Sequence, residues 1–254
     1  VRETIPAIGG GNSGGSSGGS SSGGNSSGGS SSGSTTGKNP GGAATTTDKT
    51  TGTVTEVTKN PDGSTVTVET RKDGVVITTE EAADGSTVKT TANPDGSSQI
   101  TVRRSDGTTA SVSTDVKGAA TAQVSLSGEA VGAARRGNGA VSLPIPAVSA
   151  SSKVDITLPG GSGAVRLEIP VKDTAPGVVA VIVGPDGSET VVKKSSITGN
   201  GVALTLDSSA AVKIVDNSAA FSDVSAGSWE KNAVDFVSAR GIFSGTGGRA
   251  FSPD

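Results

Sequence analysis

From residue 54 onward, apolar and polar residues alternate in short runs that are cut at a fixed interval. Thr65-Val66-Thr67-Val68-Glu69-Thr70, Val76-Ile77-Thr78-Thr79 and Ile100-Thr101-Val102 keep a period of two. This is the spacing of a strand whose successive side chains point to opposite faces. Asp-Gly pairs separate the runs at Asp62-Gly63, Asp73-Gly74, Asp84-Gly85, Asp95-Gly96 and Asp106-Gly107, at intervals of 11 residues. Asp-Gly is the preferred dipeptide of the tight type I′ hairpin turn, in which both central residues take positive φ. The pattern predicts a β-meander over residues 54–116, built of about six strands with one strand and one turn per repeat. Val66, Ile77 and Val88 each stand three places after their turn glycine, which predicts one thinly apolar face and one of Thr, Lys, Arg and Glu. Ile100 stands four places after its glycine, so a slip or bulge is expected in that strand. A single-layer sheet and a two-sided coil of paired repeats both fit.

Residues 117–216 carry longer apolar runs. Candidate strands are 123–126, 154–158, 165–171, 178–183, 189–192, 202–206 and 212–215. Turn signals separate them at Pro159-Gly160-Gly161, Gly184-Pro185-Asp186-Gly187 and Gly199-Asn200-Gly201. The run Val178-Val179-Ala180-Val181-Ile182-Val183 has no polar residue, which suits a central strand covered on both faces. A β-sandwich-like module follows from seven or so short strands of this kind. Residues 9–37 are almost pure glycine and serine and predict a random coil. With the Thr-rich stretch after them, residues 1–53 read as a disordered linker.

The last 34 residues, 221–254, differ in kind, because they hold all four phenylalanines and the single tryptophan. From Trp229 to Arg240 the spacing becomes helical, with Trp229, Ala233, Phe236 and Val237 on one face. Ser228 is the expected N-cap, Glu230 suits the positive end of the helix, and Arg240 followed by Gly241 is a stop signal. The fold class expected is therefore mainly β: a linker, a β-meander, a β-sandwich-like module at 117–216 and a partial α-helical segment at 221–254.

Composition narrows the chemistry. Only 31% of the 254 residues are hydrophobic and 39 are glycine, so burial per residue is low. No histidine and no cysteine are present, which removes the commonest general base, the thiolate nucleophile and the usual zinc ligands. Serines are plentiful, but none has a histidine to activate it, and the expected function is non-catalytic. The net charge of −3 gives no basic footprint for nucleic acid. No run of about 18 apolar residues occurs, so no membrane span is expected. Absence of methionine predicts a piece of a longer protein. Asn60, Asp62, Gly63 and Glu69 match four positions of a calcium-binding loop, but Thr58 fails the first ligand position and strands rather than helices flank it. No metal and no cofactor are expected.

The ordered residues Phe221-Ser222-Asp223-Val224, Trp229, Ala233-Val234, Gly241-Ile242-Phe243-Ser244-Gly245 and Phe251-Ser252-Pro253-Asp254 resemble the S-layer homology family. Its pattern is F-x-D-V, W, A-[VI], G-[IL]-x-x-G and F-x-P-[DN]. The resemblance makes Phe221, Val224, Ala233, Phe236, Gly241, Phe243, Gly245, Phe251 and Pro253 structural motif positions. It implies an extracellular protein held non-covalently at the bacterial cell wall, with secondary cell-wall polysaccharide or peptidoglycan as partner. It also implies three repeats, each giving one helix to a bundle. Binding an anionic sugar calls for a cation and a flat apolar surface. In the family the cation comes from a T-R-A-E-like motif that lies beyond Asp254, so residues 1–254 alone are expected to bind wall polymer poorly.

Asp223, Trp229 and Arg249 are the candidate polysaccharide contacts. Each has a plainer reading that is favoured: core packing for Trp229, a cap or turn hydrogen bond for Asp223, a solvated loop charge for Arg249. The function expected is that of an S-layer-type surface protein, with 54–216 as stalk and 221–254 as the start of the anchor. The alternatives are an adhesin whose β-modules bind a ligand and the C-terminal part of an exported, wall-anchored hydrolase.

Overall fold

The computed structural model describes residues 37–38, 43–149 and 151–252. Most of the expected linker lies outside them. They fall into two compact units, one ending at Pro94 and one starting at Asp95.

The first unit is an antiparallel meander of β1 (Gly37–Lys38), β2 (Ala43–Thr47), β3 (Val54–Lys59), β4 (Thr65–Thr70), β5 (Val76–Glu81) and β6 (Thr87–Ala92), each paired with the next. Strand β2 lies inside the stretch expected to be linker. It begins 11 residues before β3 and obeys the same interval, but its turn reads Thr51-Gly52 instead of Asp-Gly.

The turns are not of type I′. In the Asn60–Ser64 loop, Gly63 N–H donates to Asn60 O at 3.1 Å and Asn60 N–H to Ser64 O at 2.9 Å. Gly63 has φ +85°, while Asp62 is not among the positive-φ residues. A three-residue loop results, with a β-turn followed by one left-handed glycine. The aspartate does a different job: its Oδ1 accepts from the N–H two residues on, as in Asp62 to Ser64 at 2.9 Å and Asp106 to Thr108 at 2.7 Å. Such an Asx bond explains Asp-Gly as well as a type I′ turn would.

The register departs in one respect from the expected apolar face, by placing Ile77 on the face opposite Val66 and Val88. Val66 pairs with Glu80, and Glu80 with Val88, whereas Ile77 pairs with Glu69 and Thr91. Cross-strand partners share a face, so Val66 and Val88 lie on one face and Ile77 on the other. The cause is arithmetic: in a six-residue antiparallel pairing, position two meets position five, and those positions point oppositely along one strand. A fixed position in the repeat therefore changes face from strand to strand, yet Val54, Val66, Val68, Val76 and Val88 share one face, with Val57 and Ile77 on the other.

The second unit continues the interval with β7 (Ser98–Arg103), β8 (Thr109–Thr114) and β9 (Ala120–Ser125). Ile100 pairs with Val112 in an unbroken six-residue ladder, so the expected bulge does not occur and Ile100 simply occupies the alternate face. After β9 come α1 (Gly128–Arg136), β10 (Val141–Ser142), β11 (Lys153–Thr157), β12 (Val165–Pro170), β13 (Val178–Val183), β14 (Glu189–Val191), β15 (Ser196–Ile197), β16 (Gly201–Leu206), β17 (Ala210–Asp216) and α2 (Lys231–Ala239). Helix α1 was not foreseen, although Ser127 caps it by accepting from Ala130 N–H at 3.0 Å and Arg135-Arg136-Gly137 ends it.

Within this unit one sheet has the order β7-β8-β9-β11-β17-β13-β14 and a second the order β10-β12-β16-β15. Hydrogen bonding runs without a break from β8 through β9 to β11, across the expected boundary at 116/117. The two sheets meet where β13 and β16 touch. Strand β12 alternates strictly, with Val165, Leu167 and Ile169 buried and Arg166 exposed. Val154, Val202, Leu204, Val212 and Ile214 complete an interior of aliphatic side chains.

Strand β13 is buried on both sides, as its apolar run predicts. Val179 and Val181 pack with Ala239 of α2, with Val191 and Val215 at the margin. Val178 and Ala180 are buried on the opposite face. Truncating a fully buried leucine removes transfer energy and leaves a cavity. Leu167→Ala is therefore expected to destabilise the second unit by about 3 kcal/mol in urea denaturation.

Candidate functional site

The motif residues of 221–252 form a small closed loop system followed by a helix. Phe221 and Phe251 meet edge to face, with ring centroids 5.1 Å apart and planes at 65°. Beside them, Asp223 accepts Phe251 N–H at 2.9 and 3.0 Å through its two oxygens and Ser252 N–H at 2.7 Å. Ser222 N–H donates to Arg249 O at 2.8 Å. The segment 245–250 folds back on itself through Thr246 N–H to Ala250 O and Ala250 N–H to Gly247 O. Gly245 has φ +78°, and a Cβ there would lie 2.4 Å from Ala250 O and 3.1 Å from the Phe221 ring. Glycine is thus required both by conformation and by space. Phe221, Asp223, Gly245 and Phe251, far apart in sequence, close one loop.

Helix α2 is shorter than expected at its start. Ser228 is not its N-cap: Ser228 Oγ donates to Ser225 O at 2.8 Å, closing the turn before the helix. Glu230 takes the cap position without a side-chain bond. The other end behaves as predicted. Gly241 has φ +60°, Ile242 N–H donates to Val237 O at 2.9 Å and Gly241 N–H to Ser238 O at 2.9 Å, the paired bonds of a Schellman stop.

The buried face of α2 is a different one from that expected. Val234, Asp235 and Ala239 are buried, Phe236 and Val237 are half-buried, and Ala233 is exposed. Trp229 is 91% exposed, which corrects its reading as a core residue. Phe243 is 63% exposed. Ala239 is the residue of the buried face that packs with Val179 and Val181 of β13.

Arg240 was read as a last-turn cation, and the structure buries it completely, at 0% exposure. Its Nε donates to Ser195 O at 2.8 Å, Nη1 to Pro176 O and Phe236 O at 3.1 Å, and Nη2 to Val178 O at 3.1 Å. The guanidinium carbon lies 3.7 Å from the centre of the Phe236 ring. Burial lowers its pKa from the ordinary arginine value. Nothing in the sequence distinguished this arginine from a solvated helix-end charge.

Of the three candidate contacts, Asp223 serves as a turn acceptor, and its carboxylate is committed to backbone N–H groups. Trp229 is open to solvent. Arg249 is exposed, with φ +65°, and makes no ion pair among the described residues. Pro253 lies outside the described residues. No group of acidic residues suited to a metal ion occurs among the described residues. No helix among them is long and apolar enough to cross a membrane.

Residues 220–254 match the family model of the S-layer homology domain. Comparison with curated proteins and with solved structures found no match. The similarity to the S-layer homology domain is thus confined to this C-terminal segment of the chain. Such a domain is an anchoring unit rather than a catalytic one, and it binds cell-wall polysaccharide.

The backbone N–H bonds of Phe251 and Ser252 hold the Asp223 carboxyl below the usual carboxylate range. A lowered pKa means that the stabilisation is complete above the unfolded-state value and is lost as pH falls through the folded one. Closure of the 221–252 loop system is therefore expected to be intact at neutral pH and to weaken progressively as pH falls below about 4. Amide exchange at Phe251 and Ser252 across pH 2–6 measures it, and Asp223→Asn should flatten the dependence.

Proposed function

We propose that residues 221–254 contribute to a non-covalent anchor that holds this protein to secondary cell-wall polysaccharide, and that the β-rich region 54–216 is the stalk carrying cargo away from the wall. The observation that carries the anchor is the closed loop system around Phe221, Asp223, Gly245 and Phe251, which makes the family match a folded unit. The solvent-facing Trp229 and the unpaired Arg249 supply the two chemistries a charged sugar polymer needs, a flat apolar ring and a cation. Asp223 acts in this reading as the brace of the loop rather than as a direct contact.

The stalk rests on the meander. Its strands gain cross-strand pairing without a deep interior, and Ile77 and Val88 are the buried aliphatic side chains described in the first unit. Threonine-rich strands with charges on both faces suit a spacer exposed to water on two sides.

Full-length protein is expected to sediment with isolated walls that retain their polysaccharide and not with walls stripped of it. Trp229→Ala and Arg249→Ala should each weaken that binding roughly tenfold, equivalent to about 1.4 kcal/mol. Equal binding to stripped walls would remove the polysaccharide from this reading. Unchanged affinity in both variants would remove the two side chains from the contact.

A further inference from the structure

We infer that Arg240 is a latch that docks the S-layer homology segment on the β-sandwich and so sets the angle between stalk and anchor. The purpose of the joint rests on the anchoring role proposed above, whereas the docking itself does not.

Three observations converge on it. One guanidinium joins carbonyls from four places: Pro176 and Val178 at the start of β13, Ser195 between β14 and β15, and Phe236 within α2 itself. Three of these acceptors belong to the β-module, so the bonds cross from helix to sandwich. A second crossing bond runs from Asn217 Nδ2 to Ala239 O at 2.6 Å, at the same end of the helix. Apolar contact accompanies these bonds, with Ala239 packed against Val179 and Val181 and with Val191 and Val215 beside them. The helix end is therefore held by directional polar bonds in addition to apolar packing.

The joint is also built to open. Ser195 Oγ is buried without a partner, and on the helix Asp235 Oδ1 is buried without one while Oδ2 takes Lys231 Nζ. Orphaned buried polar atoms are rare in permanent interiors, because each forfeits its bonds to water. Undocking α2 would return both atoms, and the guanidinium, to solvent. The docked state holds the Trp229 and Ala233 side of the helix outward, so the latch presents that side in a fixed direction relative to β13.

Hydrogen exchange on the whole chain tests this without any wall ligand, so its failure and that of the anchoring role are separate results. In the unsubstituted protein, amides of α2 should exchange through a smaller opening than those of β12 and β16. In Arg240→Met the α2 amides should exchange at least ~10-fold faster while β12 and β16 keep their protection. Arg240→Lys should resemble Arg240→Met, since one ammonium cannot span the same acceptors. Arg136→Met, on α1, is the matched control and should change neither set. Unaltered α2 protection in Arg240→Met would overturn the latch. Parallel loss in α2, β12 and β16 would also overturn it, since Arg240 would then be part of one indivisible interior.

Discussion

Covering strand β13 on both faces is the constraint on which the second unit depends. The chain has few large apolar side chains, so its burial is concentrated where one strand serves two interiors. Val178 and Ala180 are buried on one face, and Val179 and Val181 on the other. Only a run with no polar residue can be placed this way, and 178–183 is such a run. Helix α2 lies on that second face through Ala239, and the module thereby decides how the helix lies.

That dependence explains the exposure of the aromatic residues. A helix with Trp229, Ala233, Phe236 and Val237 on one side would bury that side if a broad apolar surface faced it. The surface facing the helix is an aliphatic strip of β13, on which Ala239 packs. Trp229 is left in water. Arg240 reaches across at the end of the helix and adds bonds to backbone carbonyls of the β-module.

The meander follows a different physics. Its strands are held by ladders and by turn chemistry, with glycine in the left-handed region at intervals of 11 residues from Gly52 to Gly118. An odd interval with six-residue strands reverses the faces at every step. Ile77 falls on the face opposite Val66 and Val88 for this reason, whereas Ile100, one place later in its repeat, shares a face with Val102, Ala110, Val112, Ala122 and Val124.

Much of this was legible in the residues themselves. The interval, the strand positions, the stop at Gly241, the apolar run of β13 and the family motif depend on neighbours within a few places along the chain, and local order encodes them. Turn geometry was only half legible, because Asp-Gly serves an Asx turn as well as a type I′ turn. The ends of the repeat were hidden where Thr51-Gly52 and Lys117-Gly118 replace Asp-Gly. Helix α1 had its cap and stop in plain view, at Ser127 and Gly137, but sat among strands. Which face of α2 is buried, and what Arg240 does, belonged to the tertiary structure alone. The acceptor at Pro176 lies 64 residues from Arg240, and no local pattern records a partner at that separation. Short-range geometry is written into the order of side chains, whereas burial is settled by whichever surface the folded chain brings opposite.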